Sequence, residues 1–352
     1  MTTLYDLDRA ALGDLLADQP RYRVDQVWQG LYEQAVPVES MTSVPKAVRA
    51  RLTEAAPDAL SPVTESVSRD GATVKWLWEL DGGARIETVL MHYDDRSTVC
   101  VSTQAGCAMA CGFCATGQAG FERQLTVGEI VEQVVRARRR ATDRSDPRRV
   151  SNVVFMGMGE PLANYDNTWS AIERLHGDMG LSARHLTVST VGIVPGIRRL
   201  ATEALPVNLA VSLHAANDEL RTQMVPINAR YPLAVLAEAC AEYLEAKNRR
   251  LSFEWALIDG VNDRGQDATE LAEYALALRA HVNLIPLNPT PGYATRGTPP
   301  ARVTAFRDLL QSFGVNATVR QNRGTDIDAA CGQLRAGHTA TPTPVRLSEP
   351  RP

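Results

Sequence analysis

The stretch Gly106-Cys107-Ala108-Met109-Ala110-Cys111-Gly112-Phe113-Cys114-Ala115-Thr116-Gly117 decides how the rest of this chain is read. Three thiols, at 107, 111 and 114, fall in one short loop of small residues. The β-branched run Thr98-Val99-Cys100-Val101-Ser102 leads into it, and a helix-start signal follows at Thr126. So short a loop can turn three sulfurs toward one point, and soft thiolates select zinc or iron–sulfur clusters. Structural zinc wants four protein ligands in a closed tetrahedron, and a fourth local ligand is missing. A 4Fe–4S cluster held by three cysteines instead keeps one iron open for a substrate or cofactor. The competing reading is a zinc knob completed by Cys100 or a distant histidine, although zinc sites usually come as paired CxxC knuckles.

Outward from this loop, short apolar runs alternate with amphipathic ones. Strands are expected at 98–103, 151–156, 185–190, 207–213, 251–257, 281–286 and 316–320. Helices are expected near 126–140, 164–176, 195–203, 216–225, 231–247, 266–280 and 300–313. The first helix carries a capping box, Thr126-x-x-Glu129, and Gly314 follows the last one where a C-cap glycine is expected. Alternating βα units give an α/β fold with a parallel sheet, whose ligands bind beyond the C-terminal strand ends. Polar and glycine residues fall at those ends: Gly157-Met158-Gly159-Glu160, Ser189, Ser212-Leu213-His214 and Asn288. Glycines let backbone approach a ligand, and Glu160 is placed to accept from an ammonium. Ordinary loop polarity accounts for the remaining positions equally well.

Upstream, the period changes. In Thr73–Leu80, the residues Val74, Trp76, Trp78 and Leu80 share one face. Asp81-Gly82-Gly83 then supplies a turn, and Arg85–Leu90 is the return strand. Glu87 interrupts that strand, and the pattern alone turns it toward water. Residues 1–62 read as a small helical module, because Leu4, Leu7, Leu12, Leu15 and Leu16, then Val24, Val27, Trp28, Leu31 and Tyr32, recur at helical intervals. The expected division is therefore 1–62 helical, 63–97 a β extension, 98–337 the α/β body and 338–352 a disordered Thr-Pro-rich tail.

No apolar run approaches the roughly 20 residues that span a bilayer, and the N-terminus lacks a signal-peptide pattern. A cytoplasmic protein without membrane contact is expected, in which clustered cysteines serve as metal ligands or reactive thiols. The net charge of −4 does not advertise nucleic acid. Local clusters do exist: Arg136, Arg138, Arg139, Arg140, Arg144, Arg148 and Arg149, and near the N-terminus Arg21, Arg23, Lys46, Arg49 and Arg51. Each is either a phosphate-contacting surface or a solvated face.

The spacing CxxxCxxC, with Phe113 before the last cysteine, resembles the signature of radical S-adenosylmethionine (SAM) enzymes. That resemblance implies an open (β/α)6 partial barrel. It also implies a 4Fe–4S cluster on Cys107, Cys111 and Cys114, with SAM chelating the free iron. VSTQAGCAMACGFC, GMGEPLANY, IPLNPTPG and DIDAACGQL, in that order, resemble the RlmN-type adenine-C2 RNA methyltransferases over residues from about 20 to 334. Arg23–Val27 and Met41-Thr42 resemble the family's N-terminal RNA-binding accessory domain. The family implies SAM contacts from Gly159, Glu160, Ser189, Ser212, Leu213, His214 and Asn288. It implies Cys331 as a methyl carrier, Glu87 as the base that takes the C2 proton, and Cys100 as the thiol that displaces the carrier sulfur as a disulfide. Its substrates would be 23S rRNA and tRNA, its electron donor a flavodoxin or ferredoxin, and nothing requires more than a monomer. Leu287 stands where the family often has Trp, and Val319–Arg323 is less basic than usual. Two alternatives remain at this point: the related adenine-C8 rRNA methyltransferase of antibiotic-resistance type, and a zinc-stabilised RNA-binding module without catalysis.

Overall fold

The change of hydrophobic period near residue 97 marks a change from antiparallel to parallel pairing. A computed structural model describes residues 2–143, 148–288, 290, 296–321, 323–330 and 332–334. Three helices come first: α1 (Arg9–Leu15), α2 (Tyr22–Tyr32) and α3 (Lys46–Ala55). The strands β1 (Ser61–Val67), β2 (Thr73–Glu79), β3 (Arg85–His92) and β4 (Ser97–Cys100) follow. Around the thiol loop lie β5 (Gln104–Gly106), α4 (Ala115–Ala119) and β6 (Phe121–Gln124). The chain continues through α5 (Val127–Thr142), β7 (Val150–Phe155), α6 (Tyr165–Gly177), β8 (Leu186–Thr190) and α7 (Val194–Thr202). Next come β9 (Asn208–Ser212), α8 (Asp218–Met224), α9 (Leu233–Lys247), β10 (Leu251–Leu257) and α10 (Gly265–Ala277). The last elements are β11 (His281–Pro286), α11 (Pro300–Ser312) and β12 (Ala317–Val319).

One ten-stranded sheet runs β1-β2-β3-β4-β7-β8-β9-β10-β11-β12. From β4 onward every neighbouring pair is parallel, and helical crossovers join each strand to the next. The body is therefore the expected open partial barrel. Strands β1–β3 pair antiparallel and continue the same sheet through β3–β4. The β extension is thus a wing on the first barrel strand, where no separate sheet forms. Strand β1 was not expected. It is an exposed edge strand with Pro62 and an irregular register beside it, so it lacks the alternation that marks a half-buried strand.

Helix α5 shows why sequence pattern positions the body well. Thr126 caps it by accepting from the Glu129 N–H at 3.2 Å, and Glu129 accepts from the Thr126 N–H at 2.9 Å. Its stripe Ile130, Val131, Val134 and Val135 is fully buried. Much of the basic cluster on the same helix is engaged within the chain. Arg136 pairs with Glu132 and Asp58, Arg138 donates to the Tyr32 C=O, and Arg139 donates to the Ala35 C=O and the Tyr5 hydroxyl. Arg140 pairs with Glu65. These arginines fasten the N-terminal helices and the wing to α5, with guanidiniums spent on local carbonyls and carboxylates. Arg144 lies outside the described residues. In the N-terminal cluster, Arg23 donates to the Ser43 C=O, Arg49 to the Glu39 C=O, and Arg51 pairs with Asp18. The disorder expected for 338–352 also concerns residues outside those described.

Candidate active site

The thiol loop is shaped by a close backbone crossing. Strands β5 and β6 form a small antiparallel sheet, and the Cys107 N–H donates to the Gly120 C=O at 2.7 Å. Gly106 has φ +75°, and a Cβ there would lie 2.0 Å from the Gly120 carbonyl oxygen. Only glycine permits that approach. Beyond it the chain turns so that Cys107, Cys111 and Cys114 all line one cleft of about 160 Å³ at the C-terminal ends of the parallel strands. Burial pushes the Cys107 thiol up to about 12 and raises Cys111 well above its ordinary range, with the neighbouring thiols adding to both. Such sulfurs give up their protons on binding metal. Three cysteine thiols lining one cleft are a soft donor set that fits an iron–sulfur cluster.

Opposite the thiols stands the segment after β7. Gly159 has φ +103°, and a Cβ on it would meet Gln104 at 2.6–2.7 Å; this contact seats the loop against β5. Gln104 Oε1 accepts from the Glu160 N–H at 2.8 Å. The Glu160 carboxylate is buried and accepts from the Leu162 N–H at 3.0 Å and the Val191 N–H at 2.8 Å. Burial raises its pKa to about 7 against the pull of those donors. It lines the cleft, where a carboxylate can accept from a cationic or amine group.

Ser189, Ser212, His214 and Asn288 line the same cleft. His214 sits at φ +59°, held because its Nδ1 accepts from the Ala256 N–H at 2.9 Å and its C=O from Asn262 at 2.8 Å. Its ring meets Phe113 edge-on at 4.7 Å. Burial, helped by Arg221, lowers its pKa to about 3. The imidazole is therefore neutral with its proton on Nε2. Leu213 is different: its side chain is wholly in the core, its N–H donates to the Glu254 C=O, and it does not line the cleft. Any contact it makes in the cleft therefore falls to its backbone.

A second, smaller cavity adjoins the wing. It is lined by Val89, Met91 and Cys100, and by Arg320, Ala329 and Ala330 from the C-terminal segment. Cys331 lies outside the described residues, but its neighbours do not. The Ala115 N–H donates to the Gly332 C=O at 2.8 Å, Thr116 Oγ1 donates to the Leu334 C=O at 2.6 Å, and Gly332 lines the cleft with the thiols. Glu87 is buried, contrary to the alternation pattern, and pairs with Lys75 at 3.4 Å. Because Cys100 pairs with Val89 across β3–β4, and side chains alternate along a strand, Glu87 and Cys100 share one face.

Two groups escaped sequence reasoning. Glu254 lies in the otherwise buried strand β10 and accepts from Asn283 at 2.8 Å. Arg320 contacts Glu254 at 3.4 Å and lines both cavities. A carboxylate inside an apolar strand was the available signal, since buried charge needs a partner.

The Radical SAM superfamily pattern matches residues 101–272. A radical SAM methyltransferase from Sphaerobacter thermophilus superposes with a TM-score of 0.92 at 50% identity, covering 96% of this chain and 100% of that one. The fold and its three-thiol cleft thus place the chain among the radical SAM enzymes, whose cofactors are a 4Fe–4S cluster and SAM. The "Probable dual-specificity RNA methyltransferase RlmN" of Chloroflexus aurantiacus is 49% identical over 350 residues, covering 96% of this chain and 93% of the relative. The "Dual-specificity RNA methyltransferase RlmN 1" of Myxococcus xanthus is 49% identical over 339 residues, covering 95% and 94%. The chain belongs to the RlmN family.

Proposed function

We propose that this enzyme methylates C2 of adenine in 23S rRNA and tRNA, with Cys331 as methyl carrier, Glu87 as base and Cys100 as resolving thiol. The supporting observation is the seating of Gly332 and Leu334 on the residues that follow Cys114. It brings the segment bearing Cys331 against the thiol cleft on one side and the Cys100 cavity on the other. The adenine-C8 reading is not favoured, since relatives at about half identity over nearly the whole chain carry the dual-specificity RlmN name. Membership of that family also sets aside a zinc module without catalysis.

Adenine C2 is an electron-poor carbon and does not attack a sulfonium methyl. Cys331 therefore takes the methyl first: its thiolate attacks the methyl carbon of SAM, S-adenosylhomocysteine leaves with the electron pair of the broken C–S bond, and the thiol proton passes to solvent. A 4Fe–4S cluster held by Cys107, Cys111 and Cys114 would supply, with SAM bound, the one-electron chemistry that removes a hydrogen from the S-methyl group. Cys331 then carries that carbon to C2, where the new C–C bond forms. Glu87 takes the C2 proton as the ring gives its surplus electron back to the donor system. Cys100, as thiolate, attacks the carrier sulfur in line. An S–S bond forms, the C–S electron pair passes to the methylene carbon, and that carbon takes a proton to become methyl. An external dithiol then reduces the disulfide. In the cleft, Glu160 accepts from the amino group of SAM, while Ser189, Ser212, Asn288 and the Nε2–H of His214 offer hydrogen bonds to its ribose, carboxylate and adenine. The target adenine is drawn out of its stack to reach the carrier.

A flavodoxin or ferredoxin is the donor in this reading, and the enzyme works as a cytoplasmic monomer. Among the described residues no helix is long and apolar enough to cross a membrane. Anaerobic turnover with methyl-labelled SAM and unmodified rRNA and tRNA, read by mass spectrometry, tests the assignment. A methyl at adenine C2 is expected; a methyl at C8, or none on RNA, overturns it.

A further inference from the structure

Lys75 has no role in the chemistry above, yet it stands where two parts of that chemistry meet. Across the wing, Lys75 on β2 pairs with Val89 on β3, and Val89 pairs with Cys100 on β4. These three residues form one row on one face, and Glu87 follows one step along β3 on that face. The Lys75 ammonium lies 3.4 Å from Glu87 Oε1 and donates to the Asp328 C=O at 3.1 Å. It is mostly buried, with 14% of its side chain exposed. Asp328 belongs to the segment that leads to Cys331. The same segment is tied to the wing a second time, where the Arg69 N–H donates to Asp326 at 2.9 Å.

We propose that Lys75 is a positioning residue that holds the Glu87 carboxylate ionised and aimed while clamping the carrier segment to the wing through Asp328. The proposal rests on the assignment of Glu87 as the base. A buried carboxylate resists ionisation unless an opposite charge lies near, and Lys75 supplies that charge. The other charged or titratable groups on this face include Arg85 and Tyr93 from β3 and its end, Glu79 from β2, which pairs with Arg85 at 2.9 Å, Cys100 from β4, Arg320 and Arg323 after β12, and Asp326 and Asp328 of the carrier segment. Helix α5 packs on the opposite face, where Gln133 accepts from Thr88 at 2.8 Å. Lys75 on the neighbouring strand makes an ion pair with Glu87. When Glu87 takes the C2 proton the pair is neutralised, and Asp328 becomes the remaining partner of the ammonium. Base strength and carrier position thus act through one side chain.

Single-turnover methyl transfer by the reconstituted enzyme, followed from pH 5 to pH 9, tests this. The acid limb of the rate profile reports ionisation of the base. For Lys75→Met the limb is expected to move upward by about one to three pH units. Hydrogen exchange in residues 323–330 is expected to quicken in the same variant. Lys75→Arg should restore both within half a unit and near-normal protection. An acid limb unmoved in Lys75→Met overturns the proposal, as does exchange unchanged from wild type. Lys75→Gln gives the same two readings where the Met variant melts early. Glu87→Gln separates the two claims: if it keeps the acid limb, the assignment of the base is what fails.

Discussion

Replacing Gly106 by alanine isolates the backbone crossing that shapes the thiol loop. The added Cβ would sit 2.0 Å from the Gly120 oxygen and 3.1 Å from Phe121 Cα. Both are main-chain atoms, so no flexible side chain can yield. Relief requires β5 and β6 to part, which breaks the 2.7 Å bond from Cys107 N–H to Gly120 C=O. An L-residue at φ +75° costs about 1–2 kcal/mol, and leaving a buried donor unsatisfied costs about 1–3 kcal/mol more. The sum, about 2–5 kcal/mol, falls on the loop that carries the three thiols. Gly71→Ala is the matched control, with φ +69° and open space around the new Cβ; it should lose only the roughly 1–2 kcal/mol of backbone strain. Iron and sulfide content after anaerobic reconstitution, with a thermal melt of each apoprotein, reads the difference. Gly106→Ala should fail to retain most of its cluster while Gly71→Ala loads fully. Full loading of Gly106→Ala, with a melt matching the control, would refute the reasoning.

Glu160→Gln should weaken SAM binding about 10- to 100-fold by equilibrium dialysis, since a charge-assisted hydrogen bond is worth roughly 1.5–3 kcal/mol; an unchanged affinity would remove Glu160 from the SAM site. For His214, the folded pKa of about 3 lies below the ordinary value of 6.5, so below pH 6.5 the unfolded chain binds a proton that the folded one refuses. Its contribution is fully present above pH 6.5 and falls by about 2 kcal/mol between pH 7 and pH 5; urea melts of His214→Gln should lack that loss, and a parallel pH dependence in both proteins would contradict it. Arg174 donates to the carbonyls of Tyr5, Leu7 and Asp6 and to the Tyr32 hydroxyl. Arg174→Ala should cost about 3 kcal/mol or more and open the first 35 residues to protease, while a wild-type cleavage pattern would show that the module is held by other contacts.

The barrel was legible because its signals are local. A capping box opens α5, buried runs mark the parallel strands, and the three thiols stand within eight residues. What escaped depends on pairing at a distance. Strand β1 is an exposed edge with a proline, so nothing in its composition distinguishes it from a loop. That arginines of α5 also fasten the N-terminal helices could not be read locally, because the carbonyls of Tyr32 and Ala35 that they reach lie about a hundred residues away. Glu87 reads as solvent-facing because its partner, Lys75, lies on another strand, and only the sheet register sets them together.

The most direct test of the account is the covalent species left when release is blocked. Cys100→Ala removes the thiol assigned to displace the carrier sulfur, so turnover with SAM and RNA should halt with enzyme and RNA joined. Digestion and mass spectrometry should then find the Cys331 peptide linked through one methylene carbon to C2 of adenine. An adduct on any other residue, or free methylated RNA from this variant at the wild-type rate, would contradict it.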